Sequence, residues 1–195
     1  EAHRTGAPPV RPMFWNDFSN TDLWEVDDQF LLGDALLVAP ILEPQAASRI
    51  VLLPAGLWYP LVGGVALRGD RSVELDVALE EIPVFVKGGT VLPMDNQGRT
   101  ELHLYPDENG AGKGVRFVDD GDGYGDHRTE YWTFEIRPGE GEEDPSAVLS
   151  LSVDGDYLPE NTDVQIFVHG TSLLELRFRG NTLDFAEGTC RISLI

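Results

Sequence analysis

The sequence predicts a mainly β protein in two consecutive parts, each a series of short strands of the kind that builds a sandwich or a barrel. Three observations predict it. The apolar runs are strand-length and end at Gly, Pro, Asn or Asp. Helical periodicity is confined to one segment. A polar, turn-rich stretch at 94–100, MDNQGRT, separates one series of strands from a second.

Taken in order, the chain opens with EAHRTGAPPVRPMFW, which has neither an initiator Met nor a signal peptide. Residues 9–15 are a short apolar run with the look of a buried strand, set between prolines and the turn formers Asn16 and Asp17. A lone buried strand has nothing to pair with. The expectation is therefore a carboxy-terminal fragment whose catalytic groups lie before Glu1. Residues 22–32 read as a helix, with Thr21 or Asp22 as cap, Glu25 as its capping-box partner, Leu23, Val26 and Phe30 near helical spacing, and Gly33 as the stop.

Strand signals dominate from there. Residues 35–42 are continuously apolar, 49–53 end at Pro54-Ala55-Gly56, and 58–62 end at Gly63-Gly64. Residues 73–79 alternate Val, Leu, Val, Leu. Residues 83–86 and 90–92 flank Lys87-Gly88-Gly89 and read as a hairpin. Beyond the break come 102–105, 115–118, 131–136, 147–153, 164–168, 173–178 and 191–195, with an acidic loop at 137–145.

Composition narrows the function. Apolar residues make up 42% of the 195, enough for a core. A net charge of −20 argues against nucleic-acid partners, which require Lys and Arg against phosphate, and against anionic membranes. No apolar run is long enough to span a bilayer. The single Cys190 forms no internal disulfide, which favours a cytoplasmic setting.

Several residues invite a chemical role. Arg11 sits amid apolar residues, and a buried guanidinium needs a carboxylate. Asp27 and Asp28 are adjacent, so on a helix they diverge by about 100° and do not converge on one bond; one of them is expected to hold a buried donor such as Arg11. Of Trp58 and Tyr59, consecutive on a strand, one is expected in the core and one at the surface. Asp119, Asp120, Asp122 and Asp126 lie in an Asp-Gly-rich stretch that is either a set of turns or a calcium loop. His3, His103, His127 and His169 lack ligand spacing, so zinc is not expected, and no cofactor is.

A series of motifs in one order then resembles the C-terminal end of family-31 glycoside hydrolases, the α-glucosidase and α-xylosidase group. They are Ala2-His3 to Gly6 with Val10-Arg11-Pro12-Met13-Phe14; Asp27-Asp28-Gln29-Phe30-Leu31-Leu32-Gly33-Asp34; Leu36-Leu37-Val38-Ala39-Pro40-Ile41; Leu53-Pro54-Ala55-Gly56 with Trp58-Tyr59; Ile82-Pro83-Val84-Phe85-Val86-Lys87-Gly88-Gly89; and Val118-Asp119-Asp120-Gly121 with Tyr124. The resemblance covers about residues 1–125.

It implies a (β/α)8 barrel followed by proximal and distal β-sandwiches. In this chain residues 1–33 would be the last barrel strand and a bridging helix, 34–96 the proximal sandwich and 97–195 the distal one. It also implies retaining hydrolysis of α-glycosides by two aspartates on earlier barrel strands. No position here matches their motifs, so no catalytic residue is assigned. Trp15 and Asp17 would lie at the C-terminal end of a barrel strand, where substrate binds. The implied partners are the absent barrel and, through it, an α-linked glycoside. An autonomous carbohydrate-binding or protein-interaction sandwich is the alternative.

Overall fold

The computed structural model describes residues 1–78, 80–121, 125–139, 145–171, 173, 175–186 and 188–194. It divides into two compact units, Glu1–Gly88 and Gly89–Ile195, each with its own apolar core. No described helix is long and apolar enough to cross a membrane.

The first unit begins with one helical turn, α1 (Ala2–Thr5), closed by Gly6 in the left-handed conformation. Its strands are β1 (Val10–Arg11), β2 (Phe30–Leu32), β3 (Leu36–Val38), β4 (Ser48–Leu53), β5 (Leu57–Pro60), β6 (Leu67–Arg68), β7 (Arg71–Asp76) and β8 (Val84–Lys87). Among the described residues, six form one antiparallel sheet in the order β1-β2-β3-β8-β5-β6, while β4 and β7 pair as a separate ribbon. Leu31, Leu37, Trp58 and Phe85 of the sheet meet Val51 and Leu53 of the ribbon in one core. Met13 and Leu23 enter it from two 3-10 turns, Met13–Asn16 and Thr21–Leu23.

Two expectations for this unit are corrected. Val10 and Arg11 pair antiparallel with Leu32 and Leu31 at the edge of the sheet, and Gly33 N donates to Pro9 O at 2.7 Å. The supposed last barrel strand therefore finds its partner inside this unit. The expected helix at 22–32 is a single 3-10 turn capped by Asn20, whose side chain accepts from Asp22 N, followed by strand β2. The reason is tertiary. Gln29 donates to Leu52 O at 2.8 Å and accepts from Leu52 N at 2.9 Å, standing in for a peptide group beside β4. Phe30–Leu32 then gains a ladder on both sides, which outweighs helix propensity.

The second unit contains β9 (Thr90–Asn96), β10 (Arg99–Tyr105), β11 (Ala111–Asp119), β12 (His127–Arg137), β13 (Ser146–Asp154), β14 (Asp163–Val168), β15 (Glu175–Phe178), β16 (Asn181–Asp184) and β17 (Thr189–Ser193). They run in the order β16-β15-β13-β12-β11-β9-β10-β14-β17. The sheet is almost divided at β11/β9, where the register joins only Lys113 to Thr90 and Lys113 N donates to Gly89 O at 3.0 Å. Both halves feed one core: Trp132, Leu149 and Leu176 from one side, Leu104, Ile166 and Ile192 from the other. The unit is thus a sandwich of two half-sheets joined at a corner. Glycines make the corner possible. A Cβ on Gly114 would lie 1.9 Å from the Val91 carbonyl oxygen, and one on Gly112 would lie 2.4 Å from the Phe134 ring.

The sequence-based boundary near 94–100 also shifts. Asn96 and Arg99 are register partners in the β9–β10 hairpin, so that polar stretch is a turn within the second unit. Gly88-Gly89 is the passage between units and not a hairpin turn, because β8 pairs with β3 and β5 whereas β9 pairs with β10 and β11. The expected strands at 73–79, 173–178 and 191–195 each include a residue outside the described ones, as does the acidic loop at 137–145.

Two outcomes are expected. Gly114→Ala should destabilise the second unit by about 1–3 kcal/mol or more, as overpacking against backbone does, while Lys113→Ala should leave it within about 0.5 kcal/mol. Urea denaturation followed by Trp132 fluorescence compares them, and equal midpoints would refute the corner's importance. A piece comprising residues 89–195 should melt cooperatively by circular dichroism, whereas 98–195, which lacks β9, should not.

Candidate functional site

Residues 8–34 concentrate the features that point outward from the first unit. Arg11 is 2% exposed. Its Nε donates to Pro8 O at 2.8 Å, Nη2 pairs with Glu1 Oε2 at 2.7 Å, and Nη1 pairs with Asp34. The guanidinium also stands 5.7 Å from the centre of the Trp15 ring. A buried cation with this many partners is a clamp: it ties α1, β1 and the turn after β2 into one surface.

Aromatic rings cluster in the segment that follows β1. Phe14 and Trp24 stack at 4.8 Å and 16°, Phe18 tilts against both at 5.7 and 6.2 Å, and Trp24 Nε1 donates to Phe18 O at 3.3 Å. Phe18 and Trp24 nevertheless remain 60% and 51% exposed. Val10 and Leu32, facing partners at the β1–β2 edge, are also exposed. Such a surface suits apolar contact or ring stacking.

Asp17 and Asp28 are engaged by their neighbours. Asp17 accepts from Ser19 N at 3.1 Å and Ser19 Oγ at 2.6 Å, and the Ser19 hydroxyl holds its carboxyl below the ordinary range. Asp28 accepts from Arg49 at 2.7 Å, so one of the Asp27–Asp28 pair does hold a largely buried donor, but the donor is Arg49; Arg11 is held by Asp34 and Glu1. Asp27 is exposed. Trp58 and Tyr59 are both buried, at 2% and 5%, where one was expected at the surface. The second face of the sheet is covered too at this point, since Val86, opposite Tyr59, has no exposure. Trp58 Nε1 donates to Pro54 O at 2.8 Å.

In the second unit, Asp119 accepts from Gly121 N at 3.1 Å, which is turn chemistry. Asp122 and Tyr124 lie outside the described residues. Among the described residues no three His, Cys, Asp or Glu side chains are grouped to hold a metal, and Asp119, Asp120 and Asp126 belong to no such group. Sequence spacing missed two associations. Glu130 is fully buried and accepts from Arg128 Nε at 2.8 Å, Trp132 Nε1 at 3.2 Å and Arg116 Nη1 at 3.3 Å. His103 and His169, 66 positions apart, are in hydrogen-bond contact. Alternation along β12 could have flagged the first, because Arg128, Glu130 and Trp132 share one face.

Comparison with known proteins bears on the same stretch. Residues 6–92 match the glycosyl hydrolase family 31 C-terminal domain. An α-glucosidase of Hordeum vulgare is 39% identical over 134 residues, 63% of this chain and 15% of that protein. α-Glucosidase 2 of Bacillus thermoamyloliquefaciens is 29% identical over 189 residues, 93% of this chain and 24% of that protein. This chain therefore spans a quarter or less of either relative. A family-31 dextranase of Flavobacterium johnsoniae, solved in complex with glucose, shares the fold with a TM-score of 0.71 at 20% identity, over 99% of this chain and 28% of that one. Residues 6–92 are thus similar to the C-terminal domain of glycosyl hydrolase family 31, and the chain as a whole is similar to the C-terminal part of α-glucosidases.

Proposed function

We propose that the chain is the non-catalytic C-terminal β-sandwich region of a retaining, α-glucosidase-like enzyme that hydrolyses α-linked glycosides in carbohydrate metabolism, and that it supports that enzyme's catalytic (β/α)8 barrel. The observation that carries the proposal is the coincidence of the family match with the large apolar side chains exposed along residues 10–32. Val10, Phe18, Trp24 and Leu32 leave large apolar groups in water, and such surfaces mark interaction sites. The barrel is the occupant they suit. Trp15 and Asp17, in the same stretch, are the residues through which this region would approach substrate.

Retaining hydrolysis needs two carboxylates about 5 Å apart, one free to attack and one to transfer a proton. Asp17, Asp28 and Asp34 are each held by Ser19, Arg49 and Arg11 instead. A second reading, an autonomous carbohydrate-binding module, is favoured by one observation, the exposed rings of Phe18 and Trp24.

The purified chain should show no turnover of an aryl α-glucoside. Turnover that scales with the protein and disappears in Asp17→Asn or Asp28→Asn would overturn the proposal. Titration with maltose or isomaltose should leave Trp fluorescence unchanged; a saturable change abolished by Trp24→Ala would favour the carbohydrate-binding reading. In a protein carrying barrel and sandwiches together, Phe18→Ser with Trp24→Ser should cost about 3–6 kcal/mol, the value of two buried aromatic side chains. Unchanged stability there would refute the supporting role.

A further inference from the structure

β10 and β14 run parallel, with His103 opposite Phe167. His169 extends the ladder by donating its backbone N–H to Leu104 O at 3.0 Å. Alternation sends Arg99, Glu101, His103 and Tyr105 to the face away from Leu102 and Leu104. On that face a line of polar atoms crosses from one strand to the other. Glu101 Oε2 lies 3.1 Å from His103 Nε2, and His103 Nδ1 lies 2.9 Å from His169 Nε2.

Stacking fixes both rings. His103 lies on Phe167 at 4.7 Å and 7°, and His169 lies on Tyr105 at 4.2 Å and 6°. The other groups near them are mostly uncharged. From β9, Leu92 and Met94 stand opposite His103 and Glu101, and Asn96 donates to Glu101 Oε1 at 2.9 Å. From β14 come Gln165 and Phe167, with Asp163 two residues before Gln165; from β17 come Thr189 and Arg191, opposite Phe167 and Gln165. Arg99 lies two residues before Glu101. Burial pushes the Tyr105 hydroxyl up to about 12, so it stays neutral.

A hydrogen bond between two imidazole nitrogens needs one N–H and one lone pair. With both rings neutral, His103 donates from Nε2 to Glu101 and accepts at Nδ1 from His169. One added proton is accommodated: His103 then donates from both nitrogens, and His169 carries its hydrogen on Nδ1. A second sets N–H against N–H between two cations, and the bridge cannot persist. We infer that the His103–His169 pair is an acid-operated latch on the two outer strands of this sheet, holding β14 to β10 until the pair takes up its second proton. β17 follows, because β14 is its neighbour in the sheet.

The sign of the pH effect follows from His169. Burial, and then the charge of His103, lower its imidazolium from 6.5 to about 4. The unfolded chain takes up this proton near 6.5 and the folded chain only near 4. Stability present above 6.5 is therefore lost as pH falls towards 4.

The test uses the intact chain. Imidazole NMR should resolve two separate protonation steps for the pair. Across the lower one, amide exchange at Ile166, Val168 and His169, corrected for intrinsic rate, should accelerate roughly tenfold or more relative to Trp132 and Leu149. His169→Gln, which keeps donor and acceptor without titrating, should abolish that selective acceleration. A single shared step near 6.5, parallel loss of protection across all strands, or an undiminished acid response in His169→Gln would each overturn the latch. Should His169→Gln fail to fold, the titration and exchange of the unaltered chain decide alone.

Discussion

The second unit is organised around a passage too narrow for a side chain. At Gly114 the backbone of β11 runs so close to the Val91 carbonyl that a methyl group would overlap the oxygen. Because the strands can approach there, two half-sheets whose ladder at this point registers a single residue pair are joined, among the described residues, into one nine-stranded sheet. Because they are joined, their inner faces enclose one core, in which Trp132 packs on Phe178 from the same half-sheet. A sandwich normally gains its second layer through loops; here part of it comes from a backbone contact.

Both units also bury charged or amide groups, and in each several hydrogen-bond partners meet them. Glu130 receives two guanidinium groups and an indole N–H. Arg11 uses both of its terminal nitrogens on carboxylates. Gln29 imitates a peptide unit with both ends of its amide. Such groups add little net stability over apolar replacements, but removing one partner strands the other without solvation. They therefore specify where the chain must pass more strongly than they stabilise it.

Much of this was legible in the residues. Period-two alternation and punctuation by Gly and Pro located most strands of both units, and an isolated Arg among apolar neighbours announced a buried ion pair at Arg11. What failed was whatever depended on tertiary partners. The 22–32 segment carries a helical pattern, yet the amide of Gln29 binds β4 and draws Phe30–Leu32 into a sheet. The turn at 94–100 has the composition of a linker, and only the β9–β10 register shows it to be internal. The partners of Arg11, Glu1 and Asp34, could not be chosen from among the carboxylates of residues 1–34. The approach of His103 to His169 is a property of a parallel pairing, which leaves no mark in local spacing.

That parallel pairing also bears on how the second unit folds. β9, β10 and β11 are early in this part of the chain, but β10 completes its ladder on β14, and β13 on β15, both parallel. Such contacts bring together segments as far apart as His103 and His169, 66 positions along the chain. Loop-closure entropy must be met before these contacts return any energy, so folding is expected to be slow for the unit's size and limited by its final strands. During synthesis the open edge of β10 would stay unpaired until β14 emerged, leaving a strand edge available to other chains for that interval.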